Sequence, residues 1–369
     1  MNENRIINIR IIFLLLFVIV LHKCSGHNVS AEEAFMPVVN ENYRTGYANM
    51  QGKVVIGYEF LDATLFSEGL AAVRDEKFNL KVGYIDNEGK YIISPKFETG
   101  GAFHQGYAVV MSTPGRWALI DKTGTMIGDR ESYSRAKPFS GNYAAVCKEN
   151  LCGYLGLNGE YAIPLTYEYA GSFSAGLAPV RLHGKFGYIN TEGTFAIAAR
   201  FKWAGEFSEG LAAVRLDGLF GFINHKGKVV IAPRFAWVEP FSDGLALVRK
   251  NNHYFYINRI GAPVISPGTI DYAGQHMKAA ADCHNNKNSD SILPVSVYSK
   301  DELDSFSEGL ARIKHAGCWG YINKKGHIVI GLRYEQAEPF KNGVAYVERD
   351  GRALYIDNHG HQIWRSPAI

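Results

Sequence analysis

From residue 35 onward, short apolar runs alternate with glycine-centred polar breaks, and the alternation repeats. The block F-S-E-G-L-A-A-V at 207–214 has relatives beginning at Phe66, Phe103, Phe139, Phe173, Phe241, Phe306 and Phe340, at steps of 37, 36, 34, 34, 34, 65 and 34 residues. A second block, G-Y-I-N-T-E-G at 187–193, has copies starting at Gly46, Gly83, Ala118, Gly153, Gly221, Phe255, Gly320 and Leu354, which makes nine units. Self-similarity at a fixed period of this size marks a repeat architecture. The 65-residue step is one period plus 31 residues, so an insertion, about 268–300, interrupts the array over 35–369.

Each unit reads as three strands: L-A-x-V (211–215 in one copy), G-Y-I-N (221–224) and V-V-I-x-P (229–233). His183-Gly184, Asp217-Gly218, Ala316-Gly317 and Asp350-Gly351 sit between the first two strands, with the chemistry of two-residue hairpin turns. The next turn has Asn or Asp three residues before Gly in eight of nine units, as in Asp86/Gly89 and Asn224/Gly227; Gly156 is the exception. Pro95, Pro164, Pro233 and Pro267 are expected to end the third strand, because proline cannot extend a ladder. The predicted fold is all-β, a tandem array of about nine three-stranded antiparallel repeats. A 34-residue unit is short for a four-stranded propeller blade. The chain also starts on a first-type strand (35–39) and ends on a third-type one, so the sequence favours an open spiral or solenoid-like stack, with a β-propeller as the alternative.

Hairpin register adds side-chain detail. Counting outward from a two-residue turn, the second pair is not hydrogen-bonded and its side chains are close. That sets Arg181 opposite Phe186, Arg215 opposite Phe220, Arg249 opposite Tyr254 and Lys314 opposite Trp319. These pairs are expected to make cation–π contacts of roughly 0.5–1 kcal/mol each, either as a structural ladder or as a surface for anionic sugars or acidic peptides. The same count sets Cys147 opposite Cys152, within disulfide reach. Cys283, in the insertion, and Cys318 form the second candidate pair.

The two blocks together resemble the WG-repeat family, whose hallmark is W-G-Y-I-D/N-x-x-G with F-S-E-G-L-A. The clearest match is Trp319–Gly326 with Phe306–Ala311. The signature Trp is Phe186, Phe220, Tyr254, Val82 or Cys152 in other units. The resemblance covers about nine tenths of the chain and implies a bacterial-type β-repeat protein; it brings no catalytic residues to carry over.

Composition agrees: 39 Gly and 47 aromatics (21 Phe, 21 Tyr, 5 Trp) in 369 residues fit short strands and tight turns and exclude a coiled coil or a disordered chain. Arg5 and Arg10 precede an apolar run of eleven residues, Ile11 to Leu21. This is a secretory signal pattern, too short for the roughly 20 residues of a spanning helix. Cleavage is expected after Gly26, or after Ala31, with an uncleaved anchor as the alternative. Removing residues 1–26 (three basic, one acidic) takes the formal charge from +3 to +1. A near-neutral chain has no general attraction to nucleic acid, and membrane contact would come only through an uncleaved N-terminal segment.

No nucleophile elbow, H-E-x-x-H or P-loop occurs. His276, Cys283, His284, His315 and Cys318 form a suspicious cluster, with His315 and Cys318 spaced like half a zinc site, but that spacing competes with a disulfide. Glu68, Glu209, Asp243 and Glu308 recur with the repeat, as turn or Arg-pairing residues would, rather than as an acid/base pair. No catalytic residue, metal or cofactor is therefore expected. The leading reading is an exported, non-enzymatic binding scaffold, secreted or in the periplasm or cell envelope, with a protein or glycan partner. The alternatives are a hydrolase or glycan-processing enzyme with its site near 268–300, and a purely structural surface repeat.

Overall fold

The computed structural model describes residues 35–40, 42–128, 133–266, 302–315 and 317–366. The N-terminal segment 1–31, the insertion 268–300 and Cys283, His276 and His284 lie outside the described residues. The described chain forms nine small antiparallel sheets, over residues 36–60, 62–97, 99–127, 135–167, 169–201, 203–235, 237–265, 310–334 and 336–365. They stand as the nine blades of a closed β-propeller.

Two expectations change. Seven of the nine sheets have four strands, not three. The added strand is two residues long in six blades, as in Asp62–Ala63, Tyr169–Ala170 and Trp237–Val238, and longer only at Trp203–Ser208. It follows the aromatic that closes the third strand of the previous blade, such as Phe60, Tyr167 or Phe235. The eighth blade keeps only a bridge there, Leu303 to Ile313. The array also closes instead of spiralling open. Among the described residues no strand is exchanged between the first and last blades: Met36, Val38 and Ala48 of the first pack on Val344, Tyr355 and Trp364 of the ninth. Face-to-face burial of apolar side chains is enough, so the strand type at each terminus does not decide closure.

The third strands also run through the prolines, as in Tyr91–Phe97 and Val229–Phe235. This strand is the sheet edge, and its pairing slips where the ladder passes Gly221, between Phe220 and Phe222. An edge position with a bulge leaves no ladder bond for proline to break. The slip brings backbone inward, so a Cβ at Gly221 would lie 2.5 Å from the Ile231 carbonyl oxygen. Where the pairing slips in this way, the Gly of G-Y-I-N is therefore needed for space; Phe255 and Leu354 stand in blades whose pairing does not slip there.

The core lies between blades. One cluster joins Phe222, Ile231 and Phe235 of the sixth blade to Phe241, Val248 and Ile257 of the seventh. At six of the nine interfaces the Tyr of G-Y-I-N packs at a steep angle against the Phe of the next F-S-E-G block, with ring centroids 4.8–5.0 Å apart for Tyr47/Phe66, Tyr84/Phe103, Tyr154/Phe173, Tyr188/Phe207, Tyr256/Phe306 and Tyr321/Phe340. Each hydroxyl then donates to a backbone carbonyl of the next blade: Tyr47 to Thr64 (2.7 Å), Tyr84 to Gly101 (2.9 Å), Tyr154 to Gly171 (2.8 Å), Tyr188 to Gly205 (2.8 Å), Tyr256 to Asp304 (2.5 Å) and Tyr321 to Glu338 (2.8 Å). Tyr355 makes the same bond to Pro37, 3.0 Å, across the closure. Burial pushes all seven phenols above their usual pKa, so they remain donors.

Replacing Tyr188 by Phe should cost about 1–2 kcal/mol by leaving the Gly205 carbonyl unpaired. Gly221→Ala should cost more, about 3 kcal/mol, by overpacking against backbone. Urea unfolding of both variants checks the order.

Candidate interaction surfaces

Within a blade the first strand runs from the F-S-E-G turn to the two-residue hairpin, and the second returns to the Asx–Gly turn. The propeller thus has an F-S-E-G/Asx–Gly face and a hairpin face.

On the first face, F-S-E-G is itself a two-residue turn: Glu68 (φ 54°) and Gly69 (φ 82°) both take left-handed backbone, and Ser67 pairs with Leu70. Successive turns clasp. The Ser hydroxyl donates to the next block's Phe carbonyl, as from Ser67 to Phe103 (2.7 Å) and Ser208 to Phe241 (2.6 Å). The acidic residue accepts from the next turn's amides: Glu68 from Gly106 (2.8 Å), Glu209 from Gly244 (3.0 Å), Asp243 from Gly309 (2.8 Å) and Glu308 from Asn342 (2.7 Å). These carboxylates are joints between blades.

Two turns depart from the pattern, with His104 and Lys341 in the Ser position. They belong to the third and ninth blades, which are not neighbours in sequence, yet the Lys341 charge acts on His104. Partial burial lowers the His104 pKa from 6.5 and the Lys341 charge adds to this, against an opposing pull from Glu68.

The hairpin face carries the predicted cation–aromatic pairs in the predicted register. Both turn residues have positive φ, as at Asp217 (46°) and Gly218 (87°). Arg215 Cζ lies 5.4 Å from the Phe220 centroid, Arg249 Cζ 5.7 Å from Tyr254 and Lys314 Nζ 5.4 Å from Trp319. Trp319 also takes Arg312, at 5.1 Å. Arg181 faces Phe186 in register but pairs with Glu168, Nε to Oε2 3.1 Å.

The rows are wider than the sequence reading. In the sixth blade Trp203, Arg215, Phe220 and Phe235 sit abreast on four strands. In the fifth the row is Tyr169, Arg181, Phe186 and Phe201; in the seventh it starts Trp237, Arg249, Tyr254. Trp203 packs edge-on to Phe220 at 5.5 Å and Trp237 to Tyr254 at 5.7 Å. Trp203 remains 41% exposed, so its indole is open to a partner. Tyr169, Trp203 and Trp237 were missed although each falls two residues after a closing aromatic, a legible signal that lacked meaning without the fourth strand.

In the fourth blade the row position holds the Cys147–Cys152 disulfide, with Cα atoms 4.0 Å apart. Cys318 is also disulfide-bonded, which withdraws its sulfur from the half zinc site although His315 faces it in register. Among the described residues, one group has metal-ligand character: Asp357, His359 and His361. The sequence reading did not single it out.

The WG containing repeat profile matches residues 46–77, 83–112, 117–152, 153–186, 186–220, 220–254 and 319–352. The chain belongs to the WG containing repeat family. No curated protein matches it. The propeller is similar to that in the crystal structure of the eukaryotic initiation factor, at 11% identity and TM-score 0.52, covering 82% of this chain and 85% of that one. Two further similar structures are BamB from Moraxella catarrhalis (12% identity, TM-score 0.41, 89% of this chain and 97% of that one) and the dihydro-heme d1 dehydrogenase NirN in complex with DHE (12%, 0.42, 94% and 75%). At such identities the likeness is one of fold.

Because His104 binds its proton less readily in the WG propeller than in the unfolded chain, its contribution to stability falls as pH drops below 6.5. His104→Ser, the usual repeat residue, should flatten that decline. Lys341→Ser should raise the His104 pKa in an NMR titration; an unchanged value would place the two side chains too far apart to interact.

Proposed function

We propose that this WG-repeat protein is an exported, non-enzymatic interaction scaffold whose hairpin face binds a protein or glycan. One observation carries the reading: three consecutive blades, the fifth to the seventh, present the same cation–aromatic row at the same height. Trp, Tyr and Arg dominate binding hot spots because they offer large contact area with little conformational entropy to lose. A sugar ring or an aliphatic side chain stacks on the indoles, and a carboxylate reaches the guanidinium of Arg215 or Arg249. Repetition on neighbouring blades suits an extended partner, since each further contact becomes intramolecular.

The export half of the proposal rests on the N-terminal pattern of Arg5, Arg10 and the apolar run to Leu21. Mass spectrometry of protein recovered from the expressing cells should find a chain starting after Gly26 or Ala31; a chain retaining Met1 in the soluble cytosolic fraction would sink it.

For binding, the mature chain would be screened against glycans and envelope proteins. Trp203→Ala with Trp237→Ala should weaken any partner by at least about tenfold, at roughly 1–2 kcal/mol per anchor. Lys226→Ala, on the opposite face, should leave affinity unchanged. Equal loss in both variants would remove the hairpin face as the site.

A further inference from the structure

The last Asx–Gly turn differs from its seven sisters. The third and fifth positions of the turn hold Glu88 and Lys90 in the second blade, Lys226 and Lys228 in the sixth, and Lys325 and His327 in the eighth. Only the ninth blade, in the run D-N-H-G-H at 357–361, puts histidine at both positions behind a carboxylate. Elsewhere this turn is fully accounted for by backbone needs, so a chemically distinct copy has a separate cause.

The geometry is that of a chelate. Ligand atoms of Asp357, His359 and His361 all lie within 4.8 Å of one another, and the two imidazoles stand nearly parallel with centroids 5.8 Å apart. His361 Nδ1 is 2.9 Å from Asp357 Oδ2. Two ligands at about 2.0 Å from a tetrahedral ion stand roughly 3.3 Å apart, so this pair needs little movement. Asp357 has a free hand for the task. Its Oδ1 accepts the amides of His359 (2.9 Å) and His361 (2.8 Å) and so holds the turn, leaving Oδ2 to face the imidazole. The glycine between the histidines is fixed as well: Gly360 has φ 81°, and a Cβ there would press on Ile330 at 3.2 Å. Both histidines are exposed and Asp357 partly so, which leaves the remaining coordination positions open to water or a partner's side chain.

We propose that Asp357, His359 and His361 form a surface site for a borderline divalent transition-metal ion, zinc first. Two imidazoles and one carboxylate suit zinc, copper or nickel rather than the oxygen-preferring calcium or magnesium. Binding displaces the hydrogen bond between His361 and Asp357 and leaves the turn intact. The site does not depend on the hairpin face and stands or falls apart from it.

The test is titration calorimetry of the full mature chain with zinc chloride, with thermal unfolding alongside. The wild type should bind one equivalent that His359→Lys/His361→Lys lacks; that variant has the K-G-K of 226–228, so its turn is one this chain already forms. Asp357→Asn keeps the turn, as Asn224 does, and should weaken zinc by at least about tenfold, the least that loss of even an outer-sphere partner costs. Zinc should raise the melting temperature of the wild type and leave that of the double variant unmoved, since only native-state binding stabilises. Equal zinc stoichiometry and affinity in the wild type and the double variant would overturn the proposal, as would the same titration with calcium matching zinc.

Discussion

A buried tyrosine that reaches across to the next blade is the contact on which this ring rests. Each sheet alone is too small to bury both its faces; the apolar residues of one blade find cover only against those of its neighbour. Packing of that kind does not fix register, since apolar contact is non-directional. The hydroxyl does. From the centre of a sheet it donates to one particular carbonyl of the next, which sets how far the two blades slide and turn. In the third and sixth blades Leu119 and Phe222 stand where the others have Tyr. Phe222 keeps the ring contact, 4.9 Å from Phe241, without the hydrogen bond. The ring therefore tolerates individual losses because its other joints still set the angle.

Around this bolt the repeat spends its motif residues on joining blades. Ser and Glu of F-S-E-G bond to the following turn, and the Asx–Gly turn lies on the third strand of the preceding blade, where Gly227 meets Ile197 and Gly261 meets Ile231. Basic residues beside the closing aromatic do the same: Arg200 donates to the Gly227 carbonyl at 2.9 Å and Arg234 to that of Gly261 at 2.6 Å. The residues that recur most faithfully are thus the least informative about partners. What distinguishes this protein lies where a copy departs from its sisters: indoles on two adjacent blades, a disulfide in place of a cation–aromatic pair, His104 and Lys341 in place of the turn serine, and two histidines in the last turn.

Much of this was legible beforehand because it is local. Two-residue turns with left-handed glycines force pairing partners, so the cross-strand positions of Arg215 and Phe220, or Cys147 and Cys152, follow from counting. The added strand was not legible, since in six of the seven blades that have it two residues carry no periodicity. Trp203 and Trp237 therefore looked like linker residues when they are one end of each row. The Asp357 group was hidden for a different reason: it wears the sequence of a turn, and its character shows only when three side chains are seen to converge.

By itself the sequence determined the three main strands of the unit, its turns, its hairpin register and the number of copies, all properties of the local repeat. Only the tertiary structure decided that nine units close into a ring. Closure depends on the small angle between neighbouring blades, accumulated nine times, and on whether Met36 and Val38 then meet Tyr355 and Trp364. That angle is set by the bulk of side chains packed between blades and by the tyrosine bolts. No single repeat contains it.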